Sequence, residues 1–383
     1  MRLTRIDVHL VRLTLRAPFT TSFGTYRELD RPFVVIYTDD GLTGIGESPT
    51  HSDPAYKSEC DPPSVLTSLR EFILPAVARR QQEIGSIGTI EDLRASYSWI
   101  KGANFAKSAV EAALWDIEAQ RSGQSLATFW GGKRMSFPVG VSIGGTTIED
   151  VLSRADKAVE LGYSRLKVKI WPGFDVQVAT ALREAHPDTL LQVDANSAYD
   201  LSTWPTLKGL DGLDLLLIEQ PLFDDDIVLH SEISKELKTP VCLDESIHSL
   251  RDAQAAMHLW TRNGILDRLI INVKPPRVSG FSEAIEIIGA CHDHGVKTWI
   301  GGMLDSGWGK AMNLNLNALE DIDLPGDHFS PGGAYFEQDL IPESLTAPNG
   351  IFTLGDGVST GVPFDWDAFE HLGSKVFSID LNE

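Results

Sequence analysis

The sequence predicts an α/β protein, a (β/α)7β barrel carrying an α+β capping domain. Three observations predict it. Eight short apolar segments, VGVSI, RLKVKI, LLQVD, LLLIE, VCLDE, RLIINVK, KTWIG and IDLP, recur after Gly131-Gly132 with helical stretches between them. Lys169, Asp194, Glu219 and Asp244 follow one another at intervals of 25 residues, the length of one strand–helix unit, so each stands at the same height in its own repeat. The first 130 residues obey another grammar, with strands first and helices after.

In chain order, Arg2 to Leu15 alternates polar and apolar residues, as a half-buried strand does. Phe33 to Thr38 and Leu42 to Glu47 flank the turn Asp39-Asp40-Gly41, which predicts a small antiparallel sheet. Two helices follow, Ser64 to Ala78 and Asn104 to Arg121. The second places Ala109, Ala112, Ala113, Leu114 and Ile117 at helical spacing and ends near Gly123. In the repeat region the strands are short, continuous and rich in leucine or β-branched residues, as parallel strands covered on both faces are. Helices such as Asp175 to Glu184 separate them. A doubly wound sheet would instead carry a glycine-rich phosphate loop after its first strand, and Gly144-Gly145 is too little for one. The stretch from residue 331 is rich in Gly, Pro and aromatics and is expected to pack back onto the first module. The expected division is therefore a capping domain at 1–130, a barrel at 131–330 and a returning segment at 331–383.

At 383 residues with 42% hydrophobic content, the chain can fill two cores. Its net charge of -21, from 54 acidic against 33 basic residues, repels nucleic acid and anionic lipid. Cys60, Cys242 and Cys291 lie far apart with no CxxC pair, and no apolar run reaches 18 residues. A disulfide framework, a zinc site and a membrane span are thereby disfavoured. The opening reads as a strand rather than the apolar core of a signal peptide, so a cytoplasmic protein is expected.

Barrel active sites gather side chains from the carboxyl ends of strands, where Asp194, Glu219 and Asp244 each close an apolar run. One such Asp would more often cap the next helix. Three in register form an all-oxygen set suited to Mg2+, with Mn2+ able to replace it. Lys167 and Lys169, two apart on one strand, share a face directed into the barrel. A buried ammonium needs carboxylates or substrate, and cationic neighbours plus a metal are expected to lower its pKa toward that of a usable base. Lys274 ends the sixth segment, and Pro275-Pro276 fix the chain behind it, which puts a second lysine across the barrel from the first pair.

With these residues in view, the chain resembles the muconate-lactonising branch of the enolase superfamily, and most closely its o-succinylbenzoate synthase and N-succinylamino acid racemase group. The likeness spans nearly the whole chain through SAVEAALWDIEAQ, RLKVKIWPGFD, QVDANSAY, LIEQPL, CLDESI, INVKPPRVSG, WIGGMLDSG and LPGD. It implies magnesium on Asp194, Glu219 and Asp244, with Lys169 and Lys274 as an acid/base pair supported by Lys167 and Asn196. It implies substrate contacts from Phe19 on a flexible loop reaching to Tyr26, from Ser142, and from Gly302, Met303 and Leu304. Arg277 matches the arginine that this group keeps beside its second lysine.

Mandelate racemase relatives would place a catalytic His on the seventh strand; His292 and His294 precede that strand and read as helix-end residues. Asp321-Ile322-Asp323 superficially resembles the DxD of dipeptide epimerases, but LPGD follows at once and the pair is expected to be solvated. The implied activity is magnesium-dependent removal of a proton alpha to a carboxylate, as in o-succinylbenzoate synthase of menaquinone synthesis. The alternative is N-acylamino acid racemisation; dipeptide epimerase, muconate cycloisomerase and a non-catalytic binding protein stand behind. A small carboxylate is the expected ligand, and a homo-oligomer the expected assembly.

Overall fold

The chain opens as a long hairpin in the computed structural model, which describes residues 1–21, 24–330 and 333–381. Leu3–Thr21 pairs antiparallel with Gly24–Thr38 as far as Thr21 opposite Gly24. The first strand thus runs past the expected Leu15, because a register irregularity between Thr14 and Phe19 absorbs the mismatch without ending the ladder. The expected mobile loop is therefore the tip of this hairpin, with Gly24 in strand opposite Thr21; its residues 22 and 23 lie outside the described residues. Thr43–Glu47 adds to the second strand. Gly373–Asp380, from the far end of the chain, pairs antiparallel with Leu3–Thr21 and completes a four-stranded sheet.

Helix Asn104–Ser122 lies on this sheet and ends at left-handed Gly123, as its alanine spacing predicts. It can approach closely because the strand beneath carries Gly44 and Gly46. A β-carbon at Gly46 would stand 1.9 Å from the Ala109 carbonyl oxygen. The earlier helical run is longer than expected, from Pro62–Ser68 through one π-helical turn at Leu69–Ile73 to Leu74–Ile84. Asp61 starts it by accepting from Ser64 N at 3.0 Å, with prolines in the first positions.

Seven parallel strands then follow in strict sequence order: Val141–Ile143, Arg165–Lys169, Leu190–Asp194, Ile218–Glu219, Val241–Leu243, Leu269–Val273 and Lys297–Ile300. A helix covers each crossover, the third being a 3-10 turn at Trp204–Leu210. The expected eighth strand at Ile322–Pro325 is not a regular strand. Asp323 N and Leu324 N both donate to the Thr298 carbonyl at 3.1 Å, Gly140 N donates to the Gly326 carbonyl at 2.7 Å, and Phe329 bridges to Val141. Pro325 has no N–H to give, so the segment joins the seventh strand to the first without an even ladder. The ring still closes, and the (β/α)7β architecture stands.

Arg31 pins cap to barrel. Buried in the capping sheet, it donates to the carbonyls of Met303 (3.0 Å), Leu304 (2.8 Å) and Thr50, with Glu47 at 3.8 Å. Among the described residues, no helix is long and apolar enough to cross a membrane.

Candidate active site

The second barrel strand sends Lys167 and Lys169 to the same side, as its two-residue period requires. Lys167 Nζ meets Asp327 at 2.6 Å, Asp194 at 3.2 Å and Glu219 at 3.3 Å. Lys169 Nζ donates to Asp194 Oδ2 at 2.6 Å and to Asn196 Oδ1 at 2.7 Å. Asn196 leaves the third strand in a left-handed conformation, φ 40°, and its amide also donates to Glu245 Oε1 at 2.9 Å. Glu219, at the end of the fourth strand, accepts from Asn272 at 2.8 Å and from Gln192 at 3.3 Å. Asp244, just past the fifth strand, accepts from Lys274 at 2.7 Å, from Tyr56 OH at 3.2 Å and from Arg277. Arg277 is fixed in turn by the carbonyls of Ile247 and Asn272, at 2.7 and 2.5 Å.

Lys167 and Lys274 are held above the usual lysine range. Burial by itself would depress both Lys167 and Lys274, but surrounding charge outweighs it and raises them. Asp327, Glu219 and Asp194 act on Lys167; Tyr56, Glu219, Glu245 and Asp327 act on Lys274.

Asp194, Glu219 and Asp244 stand on adjacent strands, but lysine, arginine and amide donors occupy their oxygens. Among the described residues, no three His, Cys, Asp or Glu side chains are arranged to hold a metal ion as they stand. The donor set still fits a hard divalent cation, being three carboxylates with only oxygen to offer. Two carboxylates at the site are held above their usual range. Burial, then the charge of Asp194, holds Glu219 above the usual carboxylate range. The same two causes push Glu245 up to about 7, and its Oε2 is buried with no hydrogen-bond partner.

Lys167, Lys169, Asn196 and Lys274 line one cavity with Phe19, Ser142, Gly302, Met303 and Leu304, with room for about 60 Å³. The sequence-predicted site residues are thus brought together, with the carboxylates and Arg277 directly behind the lysines. Phe19 meets Tyr335 edge-on at 6.5 Å between ring centroids. Asp321 and Asp323 do not line this cavity: Asp321 faces His292 at 3.6 Å, and Asp323, which is exposed, accepts from Thr298 N at 2.9 Å. His294 caps the helix Phe281–Asp293, as its place in the sequence suggests.

Sequence reasoning missed Tyr56, Glu245, Lys310 and His328, and assigned no role to Asp327. Tyr56 comes from a capping-domain loop with no periodic signal. Glu245 and Asp327 had one, since each lies inside a motif already singled out, CLDESI and LPGD.

Residues 4–131 match the mandelate racemase/muconate lactonizing enzyme N-terminal domain, and residues 150–368 the enolase C-terminal domain-like family. An o-succinylbenzoate synthase of Geobacillus kaustophilus is 39% identical over 93% of this chain and 92% of that protein. An N-succinylamino acid racemase of Thermus thermophilus is 36% identical over 94% of this chain and 95% of that protein. A crystal structure of an enolase superfamily member from Listeria innocua superposes with a TM-score of 0.91 at 34% identity, covering 100% of both chains. Domain matches, relatives and fold agree along the whole chain, which belongs to the mandelate racemase/muconate lactonizing enzyme family of the enolase superfamily.

Proposed function

We propose that this protein removes the proton alpha to a substrate carboxylate, acting as an o-succinylbenzoate synthase by syn dehydration in menaquinone synthesis. The observation that carries the reading is that Lys169 and Lys274, from the second and sixth strands, line one cavity from opposite sides of the barrel. Asp194, Glu219 and Asp244 would hold a divalent cation, Mg2+ or Mn2+ in its place. When bound, the cation supplies positive charge against the oxygens of the developing enediolate.

The chain's own residues do the rest. Lys169 takes the alpha proton and returns it to the departing hydroxyl on the same face. Lys274, oriented by Asp244, Tyr56 and Arg277, stays cationic and faces the anion from the other side. Lys167 sits behind both carboxylates of the neighbouring strands and sets their charge. Phe19, with Met303 and Leu304, keeps the cavity dry.

The second reading is N-succinylamino acid racemisation, favoured by the likeness to the Thermus thermophilus racemase. There Lys169 and Lys274 exchange one proton on opposite faces of the same carbon. Substitution separates the two. If the enzyme is a synthase, Lys274→Arg keeps part of the dehydration while Lys169→Arg loses nearly all of it. If it is a racemase, Lys274→Ala stops interconversion while Lys169 still washes the alpha proton of one enantiomer into deuterated water. Rates of dehydration and deuterium exchange, measured on the same variants, decide. Equal indifference of both activities to both lysines ends this assignment.

The same reading includes a cytoplasmic homo-oligomer and the division into a capping module (1–130), a barrel (131–330) and a returning segment (331–383). The antiparallel pairing of Gly373–Asp380 with Leu3–Thr21 supports that division.

A further inference from the structure

The second barrel strand carries a third cation, deeper than its two lysines. Arg165, Lys167 and Lys169 alternate along Arg165–Lys169 and share the face directed into the barrel. The floor of the barrel is otherwise apolar, with Leu217, Cys242, Ile270 and Trp299 in a buried cluster of their own. Arg165 is 1% exposed, and its guanidinium lies 4.1 Å from the centre of the Trp299 ring. Among the described residues it forms no ion pair, and neither Nη1 nor Nη2 has a hydrogen-bond partner. A cation buried with so little compensation costs more than an apolar side chain filling the same space. Packing alone does not account for it.

The hydrogen bond that Arg165 does make points to the site. Its Nε donates to Gln192 Oε1 at 2.7 Å, and Gln192 Nε2 donates in turn to Glu219 Oε2 at 3.3 Å. Gln192 and Glu219 are both fully buried. Arginine offers only donors, so only the carbonyl oxygen of the Gln192 amide can face it. The amide nitrogen must then turn the other way, to Glu219. Asn272 Nδ2 holds the second carboxylate oxygen, Oε1, at 2.8 Å. Besides Lys167, Glu219 is thus gripped by one amide N–H on each oxygen, and Arg165 decides the direction of one of the two amides. Without it Gln192 is free to turn its own carbonyl oxygen on the carboxylate and push it aside. Burial lowers the Arg165 pKa, and Asp327 and then Glu219 act most strongly against that.

We propose that Arg165 is a positioning residue for the divalent cation, acting through Gln192, whose amide it turns so that Glu219 is aimed at the metal site. This rests on the assignment of Glu219 as a metal ligand made above, and adds to it a residue that touches neither metal nor substrate. Ligating carboxylates are oriented by such outer hydrogen bonds, and losing one typically costs about 10- to 100-fold in metal affinity. The competing role is packing, in which Arg165 does no more than cover the Trp299 face. A packing role is read in the melting temperature, an orienting role in the affinity for the cation.

The test is calorimetric binding of Mg2+ to the metal-free full chain, with melting temperatures taken on the same samples. Glu219→Gln calibrates the site and loses the most affinity. Arg165→Met and Gln192→Leu each weaken Mg2+ binding about 10- to 100-fold. Arg165→Lys, still a donor that accepts nothing, restores most of it. The double variant Arg165→Met with Gln192→Leu binds no more weakly than the weaker single, because both changes break the same link. Losses that multiply in the double variant, or wild-type affinity in either single, overturn the inference while the metal assignment stands. Wild-type affinity in Glu219→Gln removes the metal assignment and the inference with it. If Arg165→Met does not fold, Gln192→Leu and Arg165→Lys carry the test. Loss in the first with near-wild-type binding in the second supports the link, and any other pattern overturns it.

Discussion

His230 holds the chain just beyond Glu219 with both ring nitrogens. Its Nε2 accepts from Leu222 N at 3.0 Å and its Nδ1 meets the Asp226 carbonyl at 2.5 Å, an arrangement that only the neutral ring satisfies. Burial pushes its pKa from 6.5 down to about 4. The unfolded chain therefore binds this proton at higher pH than the folded one, and stability falls as pH drops from about 6.5 toward 4, by about 3 kcal/mol for this group. Other groups titrate in the same range, so the measurement is a difference. Denaturant melts across these pH values should slope less steeply for His230→Asn than for the wild type; parallel curves would show that the imidazole is not the source. Residue positions were legible in the sequence where strand period and strand end dictate direction. Lys167, Lys169, Asp194, Glu219 and Asp244 were placed by these rules alone. Tyr56, Lys310 and His328 were not, because a cap loop, a helix and a ring-closing segment bring them to the cavity, and no local period encodes such an approach.

Among the elements, the helix Asn104–Ser122 and the strand Thr43–Glu47 depend on each other through missing side chains. Gly46→Ala would drive a methyl against the Ala109 carbonyl and the Ala113 amide, backbone atoms that cannot rotate away. The expected loss is about 3 kcal/mol or more, read as a fall in melting temperature, with the helix displaced from the sheet. An unchanged melt would mean that helix and sheet do not pack this tightly. The alanine spacing at 109, 112 and 113 announced the helix, but not that its smallness serves a close approach to glycine. The eighth strand misled for a different reason. Ile322 to Leu324 has the composition of a strand, and its neighbours Pro325 and Gly326 decide against one. Composition reports what could pair, whereas a proline decides whether the ladder has donors.

At the scale of the molecule, Arg31 is the rivet between cap and barrel. Arg31→Met leaves the Met303 and Leu304 carbonyls without their donor and Glu47, which burial pushes up to about 7, without its cation. The expected cost is about 3 to 5 kcal/mol, with a raised KM, because Met303 and Leu304 also line the cavity. A variant with wild-type melting and wild-type KM would refute the coupling. The alternation of strand and helix made the barrel readable, and the returning segment was expected against the cap, but not as an outer strand of its sheet, Gly373–Asp380. That placement has a consequence during synthesis. The first strand leaves the ribosome about 350 residues before its outer neighbour, which at about 5–20 residues per second is roughly 20–70 s. Throughout that interval one edge of the nascent sheet offers bare N–H and C=O groups to any passing strand. The finished enzyme hides this edge, but the growing chain must be shielded by its own twist, by its charge, or by a chaperone until that outer strand arrives.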